Sequence, residues 1–434
     1  MRLKRYILVM VAGMLLFGFG ISLTMNSRLD LQQGMWQVWV WFSNHSMPER
    51  VPMVTGLVLL IGGVVLVVAG TRRLIRSFIQ AVNPGATPKQ LLNALVDQRQ
   101  TMPRLRVLGI GGGTGLSTLL RGLKSYPVDL TVIVTVSDDG GSSGRLRTDL
   151  DMPPPGDLRN CLVALAEAEP LMERLFQHRF APGAGEGSSC LGGHSVGNLI
   201  IAGLSEITGD FHQAIQETSR VLAVRGRVLP SANRPLGLKA TMADGSVICG
   251  ETAITAAHGE ITSISIDPPD AEPLPEALEA IREADVIILG PGSVFSSLVP
   301  NLLIPGMADV LVASPAIKLF ICNVMTQPGE SDDFTASRHL EAVLQHLTCG
   351  NPFHFAIVNL QRPAQDVLAI YAEEGQQFVE PDLARIRALG VIPITGHLLA
   401  DTHLARHDHD KLAHCIIETL AREANWPEVL RRRE

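Results

Sequence analysis

Five short apolar runs in this sequence each break off into a polar segment, most of them bearing glycine. That repeated pattern restricts the fold more than any other feature. The runs are Arg106–Ile110, Leu130–Val136, Val286–Leu289, Lys318–Cys322 and Phe353–Val358. They are continuous rather than alternating, as in strands buried on both faces of a parallel sheet. Helical spacing follows at Leu116–Lys124, Leu158–Glu167, Asn198–Thr208, Phe211–Leu222, Pro275–Glu283 and Leu340–Leu347. Strand and helix in alternation predict an α/β protein with a doubly wound, mainly parallel sheet. One insertion, Leu236–Ile266, alternates apolar and polar residues and predicts antiparallel hairpins, a small β subregion on the edge of the sheet.

In a parallel sheet the segments after the runs share one edge, the carboxyl ends of the strands, where ligands of such folds bind. The first is Gly111-Gly112-Gly113-Thr114-Gly115. Its glycines let backbone approach an anion, and a helix from Leu116 would aim free N–H groups at it; a tight turn accounts for the same residues equally well. The dinucleotide fingerprint is missing, because Thr114 or Leu116 stands where its third glycine belongs, and no Lys-Ser or Lys-Thr follows to make a P-loop. A second glycine turn, Gly290-Pro291-Gly292-Ser293, precedes Ser296 and Ser297. Two anion-friendly turns on separate strands point to a nucleoside diphosphate.

The stretch after Leu130–Val136 is Asp138-Asp139-Gly140-Gly141-Ser142-Ser143-Gly144-Arg145. Asp138 or Asp139 could accept hydrogen bonds from a sugar or hold a divalent cation through water, and Arg145 and Arg147 could neutralise phosphate oxygens; a solvated loop with local ion pairs is the plainer alternative. Asp157, Arg159 and Asn160 mark a helix start, where Asp157 could be only an N-cap. His194 and Asn198, set among glycines, are candidate ligand contacts, as is Asn323 after Lys318–Cys322; Asn359 follows Phe353–Val358. The run His407-Asp408-His409-Asp410 reads as a surface helix start, and no metal site is assigned.

The amino-terminal part is different. Ile7–Met25 and Val51–Gly70 carry no charge and are each about twenty residues long, enough to cross a bilayer as a helix. Arg2, Lys4 and Arg5 precede the first, and Arg72, Arg73 and Arg76 follow the second; Trp36, Trp39 and Trp41 lie in the connection. The charge bias places both termini in the cytoplasm and makes residues 1–76 a two-helix transmembrane hairpin, joined by a linker over 77–104 to an α/β domain over 105–434. Hydrophobic residues make up 46% of the 434 and charged residues 18%, in keeping with part of the chain lying in lipid. A net charge of −7 argues against nucleic-acid binding. The six cysteines form no C-x-x-C pair, which suits a reducing compartment rather than a disulfide framework. A glycine-rich stretch at Pro182–Ser189 reads as a surface loop.

Taken together, GGGTGLSTLLRGLK, TVSDDGGSSGRLR, PPGDLRNCLVAL, LFQHRF, GHSVGNLIIAGL, GPGSVFSSLVPNLL and NVMTQPGE resemble the gluconeogenesis factor family, which is similar in fold to the archaeal-type 2-phospho-L-lactate transferases. The resemblance runs from Arg106 to the carboxyl terminus and leaves the hairpin outside it. It implies a Rossmann-like sheet, a UDP-sugar ligand, and a regulatory role in envelope synthesis and cell shape on gluconeogenic carbon sources, with an envelope-synthesis protein as partner. It would place diphosphate at Gly111–Gly115 and Gly290–Ser293, and the sugar or reacting phosphate among Asp138, Asp139, Arg145, Asp157, Asn160, His194 and Asn198. The alternative is a transferase acting on a nucleoside-diphosphate-linked substrate, a chemistry of positioning and charge neutralisation to which Mg2+ would contribute. An NAD-type oxidoreductase is disfavoured by the missing fingerprint. Aromatic residues, at 5%, are thin for stacking a deazaflavin acceptor. Sequence leaves the base, the sugar, the partner and the oligomeric state open.

Overall fold

A computed structural model describes residues 3–24, 50–82, 104–167, 170–181, 191–347, 350–402 and 404–423. The tryptophans of the hairpin connection, the linker beyond residue 82, the loop at 182–189, Cys190 and Cys349 lie outside the described residues. The chain divides into two units, Met1–Pro103 and Arg104–Glu434.

In the first unit, helices Leu3–Thr24 and Arg50–Val82 pack against each other. The second runs past the expected boundary at 76, because Leu74–Val82 has no helix breaker before Asn83-Pro84. Glycines set the approach: a Cβ on Gly63 would stand 2.6 Å from the Phe17 nitrogen, and one on Gly20 2.6 Å from the Leu60 nitrogen. Leu8, Met14, Leu15, Val54, Val58 and Val65 are exposed. Among the described residues a single helix segment, Val54–Arg73 with mean hydropathy 2.4, is long and apolar enough to cross a membrane. The first helix, Leu3–Thr24, shows the shorter apolar stretch Leu8–Ile21 among the described residues.

The second unit is built on a seven-stranded parallel sheet. Its strands are β1 (Leu105–Gly111), β2 (Val128–Val134), β3 (Arg227–Pro230), β7 (Val286–Leu289), β8 (Ile317–Ile321), β9 (Phe355–Asn359) and β10 (Ile392–Gly396), with β4 (Gly237–Met242), β5 (Val247–Cys249) and β6 (Ile261–Asp267) forming a separate three-stranded antiparallel sheet. The large sheet has the order β10-β9-β8-β7-β1-β2-β3. Chain direction across it reverses between β1 and β7: successive strands add outward on one side as β1, β2, β3 and on the other as β7 to β10. That reversal is a topological switch point, and it opens a crevice at the carboxyl ends of β1 and β7. The all-apolar central strands are buried on both faces, β7 along its whole length. In β4 burial alternates residue by residue, as in a strand with one covered face.

Each expected strand is found, shifted by at most two residues at either end, and the Leu236–Ile266 insertion forms the antiparallel layer. Two strands were not expected, β3 and β10. They are the two edges of the large sheet, each is short, and each contains a proline, which edge positions tolerate. A larger difference lies after β2. Most of the polar stretch there is a helix, Gly141–Leu150, rather than a loop.

Candidate functional site

The glycine motif after β1 is partly helix: Gly112 is the N-cap and Gly113, Thr114 and Gly115 form the first turn of Gly113–Leu123. Its free N–H groups therefore open directly at the crevice. The turn after β7 packs against it. A Cβ on Gly115 would lie 2.6 Å from the Pro291 carbonyl oxygen, so only glycine permits this contact. Asn323, beyond the end of β8, clamps the second turn: Gly292 N–H donates to its Oδ1 at 3.1 Å and its Nδ2 donates to Gly292 O at 2.8 Å. Ser293 hydrogen bonds to Gln327. The following residues, Val294–Leu298, form a π-helix turn.

The two turns line a cavity of about 500 Å3 that continues over Val324 and Met325 to Ile370, Tyr371, Leu404, Arg406 and His407. This apolar arm was not legible in advance. Tyr371 lies on Gln365–Glu373, and Leu404–His407 precedes His409–Glu423, which packs along the first glycine helix at Gly122. The histidine-aspartate run that looked like surface thus delivers His407 to the cavity. Burial pushes its imidazole down to about 4, so it is neutral. Among the described residues no group of three His, Cys, Asp or Glu side chains converges to hold a metal ion.

On the other side of the glycine turns stand the acids. Asp138 Oδ1 accepts from Gly140 N–H at 2.8 Å. Asp157 is not an N-cap; it sits in the first turn of Gly156–Leu165, where its carboxyl crowds Gly112, on which a Cβ would be 2.6 Å from Oδ2. Desolvation, then the Asp138 charge, push its pKa up to about 7, against a hydrogen bond from Gly113 and the charge of Arg159. Asp139 turns away and accepts from Thr252 N–H at 2.9 Å and Thr252 Oγ at 2.6 Å.

A buried polar network joins Ser142, Arg159, His194, Ser195 and Asn198. Ser142 Oγ meets His194 Nδ1 at 3.0 Å and accepts from Asn198 Nδ2 at 3.0 Å. Arg159 donates to Asn198 Oδ1 at 3.1 Å, to Asn160 Oδ1 at 2.8 Å and to Ser195 Oγ. Burial and then the Arg145 charge lower the His194 pKa. The Arg145 guanidinium donates to Gly192 O at 2.8 Å. Of the residues expected at the site, Gly112–Gly115, Pro291, Gly292, Ser293 and Asn323 line the cavity; Asp157 abuts Gly112, and Asn160, His194 and Asn198 belong to the buried network.

A doubly wound parallel sheet with two touching glycine turns at its switch point defines the class: a Rossmann-like α/β domain. The chain belongs to the family described as 2-phospho-L-lactate transferase CofD, whose model matches residues 107–399, and its curated relatives are gluconeogenesis factors. It is 51% identical over 319 residues to the Gluconeogenesis factor of Halalkalibacterium halodurans, covering 73% of this chain and 97% of that one. It is 47% identical over 319 residues to that of Bacillus subtilis, covering 73% and 98%. A relative from Nostoc sp. is 40% identical over 425 residues, 96% of this chain and 90% of its own, so that alignment reaches into Met1–Pro103. A crystal structure of a UPF0052-family protein from Bacillus halodurans is similar at a TM-score of 0.70 and 49% identity, covering 73% of this chain and 100% of that one.

Proposed function

We propose that this gluconeogenesis factor binds a nucleotide sugar, with a UDP-sugar as the ligand, and acts as a regulator of envelope synthesis and cell shape through a protein partner. The observation that carries the reading is the contact between the Gly111–Gly115 and Gly290–Ser293 turns at the switch point. It sets two diphosphate-compatible backbones side by side at the centre of a cleft. Val324, Met325, Ile370 and Tyr371 in the cavity beyond the turns suit a base. Calorimetry on the full-length protein in detergent, with UDP-sugars, UDP and NAD, tests it. Binding of a UDP-sugar tighter than NAD supports the reading, and the reverse order refutes it.

The amino-terminal unit serves in this reading as a membrane anchor, a hairpin with both ends in the cytoplasm. Its exposed apolar residues and the basic residues outside both apolar stretches support this. A reporter fused to the carboxyl terminus is then active in the cytoplasm, and activity on the opposite side overturns the topology. A transferase is the second reading, favoured by Asp157, whose pKa of about 7 suits general acid–base work in a cleft. Product formed from a guanosine diphosphate-linked phospholactyl donor and a deazaflavin acceptor would establish it.

A further inference from the structure

The fold leaves one polar side chain of the cavity wall without a hydrogen bond. His407 lines the cavity and is 8% exposed. Its Nε2 is buried and unpartnered, and its Nδ1 makes no hydrogen bond among the described residues. His212 and His339 also have one buried, unpartnered ring nitrogen. Each of those rings still bonds through its other nitrogen, to Gln216 at 2.8 Å and to Thr335 O at 2.9 Å, and neither lines this cavity. The neutral His407 ring carries one N–H and one lone pair, and the protein uses neither. Native structures satisfy nearly all buried polar atoms, so an idle imidazole at a cavity wall marks a place for a ligand.

The backbone that carries this ring is held firmly. Leu399 and His407 form an antiparallel bridge, Ala400 N–H donates to Arg406 O at 3.0 Å, and Asp408 N–H donates to Leu398 O at 2.7 Å. Asn359, at the end of β9, anchors one arm of this turn: its Oδ1 accepts from Leu398 N–H at 3.0 Å. Tyr371 anchors the other, its hydroxyl accepting from Ala405 N–H at 3.2 Å. Asn359 is not on the cavity lining; its work is to hold the segment that supports His407. Ile370 and Leu404, which share the lining with His407 and Tyr371, are 55% and 48% exposed. That is apolar surface a ligand's ring system would cover.

We propose that His407 is the nucleoside contact of this site. With a diphosphate at the glycine turns, the nucleoside lies along Ile370, Tyr371 and Leu404, and the His407 imidazole makes a hydrogen bond to it. His407 is then the residue that separates a nucleoside diphosphate from inorganic pyrophosphate. An uncharged imidazole suits this place because its tautomer adapts to a donor or an acceptor on the nucleoside.

The inference rests on the nucleotide-sugar reading. The test is titration calorimetry of UDP and of inorganic pyrophosphate on the full-length protein in detergent. Wild type binds UDP more tightly than pyrophosphate. In His407→Leu the UDP affinity falls about tenfold while pyrophosphate binding is unchanged. His407→Gln, which restores one donor and one acceptor, recovers most of the UDP affinity. Where His407→Leu fails to fold, His407→Phe, a ring without nitrogens, carries the same expectation. Wild type that binds UDP no better than pyrophosphate defeats the nucleotide reading itself. Wild type that prefers UDP, with the preference intact in His407→Leu or with His407→Gln as weak as His407→Leu, defeats the role of His407 alone.

Discussion

The contact between the two glycine turns can be tested with one methyl group. In Gly115→Ala the new Cβ stands 2.6 Å from the Pro291 carbonyl oxygen and 2.9 Å from its carbon. Ordinary contact begins near 3.4 Å, so the turns must part by roughly 0.5–0.8 Å, and both partners are backbone with no flexible end to swing aside. Overpacking of this kind costs about 1–3 kcal/mol. Against it, alanine improves the helix Gly113–Leu123 by about 1 kcal/mol over glycine. The net expectation is about 0–2 kcal/mol of destabilisation, a fall of up to a few degrees in Tm, and UDP-sugar affinity lower by about tenfold, since both anion-holding backbones move beyond the roughly 0.5 Å a built site tolerates. Gly203→Ala is the control. Gly203 lies inside Val196–Thr208 with nothing within 4 Å of its Cβ position, so the same substitution there stabilises by about 0.5–1 kcal/mol and leaves binding alone. Differential scanning calorimetry and titration calorimetry read both variants. If Gly115→Ala raises Tm as Gly203→Ala does, or binds ligand as wild type does, the turns do not touch and the diphosphate site has no basis.

Stability should also depend on pH through Asp157. Its folded pKa, about 7, lies above the ordinary 3.8, so its contribution is fully present below about pH 4 and is lost as pH rises to about 7. Tm therefore falls over that window, and Asp157→Asn flattens the slope; an Asp157→Asn protein with the wild-type profile contradicts the assignment. In the amino-terminal unit, Gly63→Leu drives the helices apart, whereas Gly62→Leu, at a glycine with nothing within 4 Å, is accommodated. Cysteines placed at Met10 and Thr71, whose side chains meet at 3.7 Å, should cross-link in the Gly62→Leu background and fail to in Gly63→Leu; equal cross-linking in both refutes the glycine contact.

The sequence made the central strands readable because full burial leaves continuous apolar runs, as at Val286–Leu289, with no alternation to confuse. It hid β3 and β10 because edge strands of four and five residues that carry Pro230 or Pro393 look like loop. The helix Gly141–Leu150 was hidden for a different reason. Its sequence, GSSGRLRTDL, is poor in helix formers and apolar residues, and it is held by tertiary bonds such as Arg147 to Ser137 O and Asn198 to Ser142. At the site, what local motifs encode was legible: two glycine turns, the aspartates and Asn323. Arg406 and His407 were not, because they reach the cleft through the packing of His409–Glu423 on Gly113–Leu123, a contact between segments almost three hundred residues apart, and Tyr371 was not because it arrives on a separate helix, Gln365–Glu373.

The electrostatics explain why this cleft depends on backbone to hold an anion. The arginines that the sequence offered as phosphate ligands are spent on the protein: Arg159 on Ser195, Asn198 and Asn160, Arg145 on Gly192 O, Arg147 on Ser137 O. What remains at the switch point is the helix opening at Gly113 and the N–H groups of two close-packed turns, which carry partial charge, with Arg406 the cation on the cavity lining beyond them. Such donors hold a diphosphate only if neighbouring negative charge is suppressed. Glu251 and Glu330 both have raised pKa values from burial, and Asp157 from burial and the charge of Asp138. The Asp138 charge acts on both Asp157 and Glu251, so a diphosphate on the first turn, which Asp157 abuts, would push the Asp157 pKa further up and draw a proton onto it.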